Sequence, residues 1–220
     1  MVLNLLIGLP GDRPGGLVLT VLCFFAAGAG ALVAGFAYAA LGAMLPRASL
    51  VLQAGSALLR GVPLLLLVFL MAHLPGLSKG GAGLAALLLY SFSHVGETLR
   101  SFLAAYPSSL VEQTRLLGIG PIGDWLTLRL PWTLWRALAA LATHWVSLLK
   151  DTGALVVLGI GELTTVARIL SEGLAGYEEW RAVMLWAAAL YLGATLLLLR
   201  SLAYAIGTFG RAVRSEESHA

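Results

Sequence analysis

Three sets of residues in this chain are of types that do chemistry, and each sits in a different setting. Glu112 and Arg115 lie three apart in a polar stretch, 107–131. An acid and a base one helical turn apart suit docking on a charged partner, a brace between themselves, or plain solvation. Thr143, His144, Asp151 and Thr152 lie inside an apolar run over 134–158, beside Lys150. His94, Glu97 and Arg100 close another apolar run, where His94 and Glu97 can bond each other or Arg100. The chemistry open to such groups is ion pairing and the capture of a small charged solute. No cofactor, catalytic set or metal centre is assigned, because the histidines, carboxylates and lone Cys23 lack ligand spacing. The two lysines stand in Ser78-Lys79-Gly80 and Leu149-Lys150-Asp151, neither of which is the Gly-x-x-x-x-Gly-Lys-Ser/Thr phosphate cradle.

The elements that carry these residues are set by composition. Hydrophobic residues make up 59% of the 220 and charged residues 11%, with mean hydropathy +0.89. That is too little charge to cover a soluble domain of this size, so the chain reads as one integral membrane domain over 1–220. A helix crosses a bilayer core with about 20 apolar residues, and five runs qualify, over 17–45, 50–74, 83–103, 134–158 and 182–204. Lipid forces each backbone to satisfy its own hydrogen bonds, so the expected fold is all-α. In the first run Ala26, Gly30 and Ala34, and also Ala27, Ala31 and Gly35, are four apart, a period that lets helices approach closely.

Charged residues orient the spans. Arg100, Arg115, Arg129 and Arg136 follow span three, Arg200, Arg211 and Arg214 follow span five, and Arg47 and Arg60 follow span one. The turn after span two has only Lys79, and the loop between spans four and five holds Glu162, Glu172, Glu178 and Glu179 against Arg168 and Arg181. The positive-inside rule then puts the N-terminus outside and the polar stretch and C-terminus in the cytoplasm. A cleavable signal peptide is not expected, since Asp12 and Arg13 interrupt the first short apolar stretch. The scattered arginines read as topology signals, not as a nucleic-acid surface.

Within the polar stretch, Pro107 suits a first helical turn and 108–117 is helix-compatible. Gly118 suits a left-handed cap, and Pro121 stops continuation. The pattern predicts a short helix outside the membrane, a connector, and then span four opening at Pro131. Such a helix is shaped either to dock in a groove or to lie amphipathically at the interface. In span four, Asp151 lies about 30 Å along the helix from Pro131, in the outer half of the membrane. A charge at mid-bilayer costs about 2.5–3.5 kcal/mol, so it faces a cavity or a partner. Asp151 suits a substrate ammonium group or a pairing within the protein. Thr143 and His144 suit either substrate contact or packing.

These motifs, in order, resemble the polar-amino-acid subfamily of type I ABC importer permeases, the histidine/glutamine permease type. Arg60-Gly61-Val62-Pro63 is similar to that family's Arg-Gly-Thr-Pro, and Glu97-Thr98-Leu99-Arg100 to its Glu-x-x-Arg. Glu112, Gly118 and Leu130-Pro131 match its cytoplasmic EAA loop, Lys150-Asp151-Thr152 its Lys-Asp-Thr, and Gly159 to Leu163 its Gly-x-x-Glu-Leu. The chain departs from the family at Gln113-Thr114, at Thr143-His144 in place of Asn-Glu, and at Gly153 in place of Ser.

The resemblance implies five spans with a MetI-like core in a bacterial inner membrane, importing a polar amino acid or related zwitterion by alternating access. The chain would be a transport subunit and not an enzyme. ATP-Mg would be bound by separate ATPase subunits, joined by a second permease, as a heteromer rather than a homodimer, and an extracytoplasmic binding protein. Glu112, Arg115 and Gly118 would couple to the ATPase, and Thr143, His144, Asp151 and Thr152 would line the substrate pathway. Arg60, Gly61, Pro63, Glu97, Arg100, Pro131 and Lys150 would be structural. The alternatives are a permease for another small solute, of methionine or phosphonate type, and an intramembrane enzyme using His94, His144 and Asp151.

Overall fold

A computed structural model of the chain describes residues 1–172, 174 and 176–217, with side chains throughout except those at 46, 48 and 209–217. Arg211 and Arg214, counted above toward orientation, therefore lie outside the described side chains. Among the described residues the chain is helical, with one isolated parallel bridge between Gly16 and Glu162 and no named strand.

A short helix α1 (Val2–Ile7) precedes α2 (Gly16–Met44). The chain turns between them through Gly16 at φ +56, where a Cβ would lie 2.2 Å from the Leu5 carbonyl oxygen, so only glycine fits. α2 lies along α5 (Lys79–Ala104), whose first turn is capped by the Ser78 hydroxyl accepting from Gly81 N at 3.1 Å. Both small-residue stripes contribute to this interface: Gly30 lies against Leu88 of α5, where a Cβ would come 2.8 Å from Leu88 Cδ1, and the other stripe is the more deeply buried. Ala27, Ala31 and Gly35 are buried, while Ala26 is exposed. At Gly35 a Cβ would come 3.1 Å from Gly96 N on α5, so the two backbones nearly touch.

The run 50–74 is two helices, α3 (Pro46–Gly61) and α4 (Leu64–Ala72), bent by 99°. The cause is Pro63, which donates no N–H and drives the residue before it out of the helical region; Val62 sits at φ −89, ψ 122.

Two short helices, α6 (Ser108–Leu116) and α7 (Pro121–Asp124), follow α5. A π turn (Trp125–Arg129) joins α7 to α8 (Leu130–Asp151) without leaving helical dihedrals. Pro131 therefore does not open this helix, as its sequence position suggested; the helix begins at Pro121. Widening to i→i+5 bonds, with Leu130 N bonded to Trp125 O, relieves the clash of a proline ring with the preceding turn. α8 continues as a 3-10 segment (Thr152–Leu158) that ends at Gly159, φ +67. α9 (Leu163–Glu172) and the long α10 (Tyr177–Glu217) complete the chain.

α2 and residues Tyr177–Thr208 of α10 are long and apolar enough to cross a membrane, and α3 with α4 makes a third crossing if the bent pair counts as one. One apolar core joins α2, α4, α5 and α8 around Phe24, Leu87 and Leu148. A second, around Ala31, Val95 and Leu141, continues along α2, α5 and α8, and a third, around Leu5, Leu163 and Val183, ties α1 and α9 to α10.

Candidate functional site

The polar stretch folds as a unit of two short helices, α6 and α7, that leads through the π turn into α8. Pro107 caps α6 from outside, and Gly118, at φ +70, ends it. Glu112, Arg115, Leu116 and Leu117 are all exposed on this helix, with Leu116 at 87%. Among the described residues Glu112 and Arg115 form no ion pair, so the internal brace is not made. Thr114, which departs from the family's alanine, turns inward and returns its hydroxyl to Val111 O at 2.9 Å.

Asp124, 5% exposed, anchors the other side of the unit by accepting from Arg129 Nε at 2.6 Å. The Arg129 guanidinium lies over the rings of Tyr106 (5.4 Å) and Trp125 (5.8 Å). Burial first, then the charge of Asp124, raises the Tyr106 hydroxyl above its ordinary range, and Arg129 opposes this. The sequence reading missed this pair because residues five apart do not share a face of an α-helix; the π turn brings them together.

A second cluster joins three helices. Arg100 donates to Glu97 from Nε (3.1 Å) and Nη2, and Tyr38 of α2 donates to the same carboxylate at 3.1 Å. Arg60, in the last turn of α3, donates to Ser56 Oγ (2.9 Å) and Ser93 O (3.1 Å) and stands 3.7 Å from Glu97. Arg60, Glu97 and Arg100 are thus brought together beside the break at exposed Gly61 and Pro63.

Along α8 the residues expected on one pathway divide. His144 turns toward α5, where its ring stacks on His94 at 5.3 Å and 10°, and Tyr90 lies 4.7 Å from His94. His144 Nε2 is buried with no partner. Asp151 lies seven residues on, along the same helical face. Thr152 is buried and donates to Leu149 O at 2.8 Å. Thr143 and Lys150, both exposed, lie on another side and line a cleft against α10.

Glu162 is fully buried at the start of α9. It accepts from Thr164 N (2.8 Å), Tyr191 OH (3.0 Å), Thr165 N (2.8 Å) and Thr165 Oγ1 (3.1 Å). These donors offset the cost of burying the carboxylate. Thr20 accepts from Leu163 N at 3.1 Å, which fixes α2 to the same cap. Gly153 has a local reason here: a Cβ would come 2.9 Å from Thr164 Oγ1. Among the described residues no three of His, Cys, Asp and Glu gather as a metal would need.

No protein-family model matches the chain. Its sequence is 30% identical over 154 residues to an arginine ABC transporter permease protein, ArtQ, of Haemophilus influenzae, covering 64% of this chain and 68% of that protein. It is 28% identical to a probable glutamine ABC transporter permease, GlnP, of Bacillus subtilis (60% and 63%), and 32% identical to ArtQ of Escherichia coli (52% and 47%). The chain thus spans from about two thirds to about half of the length of these curated relatives. Among solved structures, an amino acid ABC transporter with histidines superposes at TM-score 0.72 and 25% identity, covering 88% of this chain and 92% of that one. The inward-facing methionine ABC transporter MetNI shares the fold, at TM-score 0.74 and 17% identity over 86% and 92%.

Proposed function

The chain belongs to the amino acid ABC transporter permease family and is membrane-embedded, and from that membership we propose that it is the membrane subunit of an ATP-driven importer for a polar amino acid or related zwitterion. On this reading α2, the bent pair α3–α4, α5, α8 and α10 are the five spans of a type I, MetI-like core in a bacterial inner membrane. The N-terminus is outside, and α6 and the C-terminus are cytoplasmic. Separate ABC ATPases bind ATP-Mg and hydrolyse it. A second, non-identical permease completes the pathway, and an extracytoplasmic binding protein delivers substrate.

The observation that carries this reading is α6. It is a nine-residue helix, stopped by a left-handed glycine, that offers an acid, a base and two leucines to solvent. Such a surface fits a groove in another protein. Movement of that groove on ATP binding rocks the spans between inward- and outward-open states. Glu112, Arg115 and Gly118 are the coupling residues on this reading.

The test is purification of the tagged chain from its native membrane in mild detergent, followed by reconstitution and uptake of labelled glutamine and arginine, the amino acids named for its relatives. Co-purification of an ATPase with ATP-dependent uptake is the expected result. Uptake of methionine alone would replace the substrate class. A chain that purifies folded but without an ATPase would overturn the reading.

A further inference from the structure

α3 stands between two breaks in the chain. Leu45, at φ −123 and ψ 78, parts it from α2, and Val62-Pro63 turns it 99° from α4. Gly61, beside the second break, is exposed, and a Cβ there would meet nothing within 4 Å among the described residues. Among the described side chains of α3 the only buried one is Ser56, at 3%, while Leu50, Val51 and Leu58 are 73–74% exposed and Leu52 and Leu59 half-buried. A helix with so little apolar burial lies at the low-stability end of a fold, from which moving elements are drawn. Polar bonds fasten it instead. Ser56 Oγ and Arg60 Nη1 both donate to the Ser93 carbonyl of α5, at 3.2 and 3.1 Å, and Arg60 also donates to Ser56 Oγ at 2.9 Å. Arg60 stands 3.7 Å from Glu97, beyond hydrogen-bond distance. Glu97 does not depend on it: Arg100 Nε reaches both carboxylate oxygens at 3.1 Å, and Tyr38 of α2 donates at 3.1 Å. Arg60 keeps 29% of its side-chain surface exposed, so it can turn to water without stranding a charge on either side.

Resting on the importer reading above, which makes α3 the cytoplasmic half of the bent span, we propose that α3 is a hinged strap and that Ser56 and Arg60 are its latch. Latched, α3 is pinned to α5 at Ser93 and the cytoplasmic end of the bundle is shut. Unlatched, Arg60 exchanges Ser93 and Glu97 for water, and α3 swings on Leu45 and on Gly61-Val62-Pro63, as a hinge of a few element-terminal residues allows. Glu97, Arg100 and Tyr38 remain joined in both states and serve as the fixed catch. Arg60 is a positioning residue on this account: it acts through the placement of α3 and touches no solute.

Two measurements on the reconstituted membrane complex test the latch. In the first, proteoliposomes are loaded with labelled glutamine or arginine, washed free of ATP and outside label, and timed for passive efflux. Arg60→Gln should leak about tenfold faster than wild type, as loss of a charge-assisted hydrogen bond implies, and Arg60→Lys, which keeps the charge, should stay close to wild type. The second reads the strap itself. Cys23→Ser removes the one native thiol, and Ser56→Cys then puts a thiol under the latch, where burial shields it from N-ethylmaleimide. Its alkylation should be slow in one nucleotide state and much faster in the other, comparing the resting complex with one trapped by ATP and vanadate. Equal alkylation in both states overturns the proposal, and so does an assembled Arg60→Gln complex as tight as wild type. If Arg60→Gln fails to assemble, the alkylation rates decide alone. ATP-driven uptake by the wild-type complex judges the importer reading separately: its absence would remove that reading, whereas uptake with an immobile strap would remove the latch only.

Discussion

Arg129 donates to Asp124 at 2.6 Å across five residues, a reach that exists only because the helix widens to a π turn between them. The pair braces the junction of α7 with the start of α8, and a small cleft of about 190 Å³ lies between it and Val111 and Arg115 of α6.

Asp124→Asn should loosen that junction. Removing one partner of a fully buried pair costs about 3–5 kcal/mol; Arg129 keeps 24% of its side-chain surface exposed, so roughly 1–3 kcal/mol is expected. Amide exchange across 108–117 should speed up about tenfold or more while the complex still assembles. Unchanged exchange would show that the pair does not hold α6.

Glu112→Lys reverses the one acidic group on α6, which is exposed and unpaired among the described residues. Its expected effect is loss of most ATP-driven uptake with normal amounts of protein in the membrane. Uptake at the wild-type rate would remove Glu112 from the coupling surface.

Gly35→Leu should destabilise the α2–α5 crossing, because a Cβ there already meets backbone of Gly96 at 3.1–3.2 Å. Overpacking of this kind costs about 1–3 kcal/mol. A lower midpoint in thermal unfolding of the detergent-solubilised protein is the expected reading, with Ala26→Leu, at an exposed position of the same helix, close to wild type.

Glu162→Gln should be destabilising despite its matched shape. The carboxylate accepts on both oxygens, from Thr165 on one and from Thr164 and Tyr191 on the other. A carboxamide would turn an NH2 group toward one of those sets of donors. The cost of a buried donor left without an acceptor is about 1–3 kcal/mol, readable as faster proteolysis near residues 160–176. Equal resistance in the two proteins would mean that the cap does not stabilise this end.

Local signals in the sequence were strong where the chain punctuates itself. Pro107, Gly118 and Pro121 outlined α6, because each acts on the backbone at its own position. The small-residue period in α2 was visible, but which stripe is buried more deeply against α5 was not, since both have the same spacing. Pro63 was read within a motif, yet the 99° bend depends on where α4 packs. Thr143 and His144 looked like one site because they are adjacent, although neighbours on a helix differ by about 100° in direction. Tyr191 carried no signal at all: it is one aromatic residue in an apolar run, and only the folded chain sets it beside Glu162, 29 positions away.

The buried cap at Glu162 also sets an order of events during synthesis. Thr20 meets its partner Leu163 across 143 residues, and Tyr191 must be delivered later still. At about 5–20 residues per second, α2 waits roughly 7–30 s before its N-terminal end can be closed. Pairing with α5 is available much sooner, so the bundle zips from its middle and the end that holds Glu162 seals last. A nascent chain halted before α10 would hold Glu162 without its tyrosine, an unfinished edge that quality-control proteases can recognise.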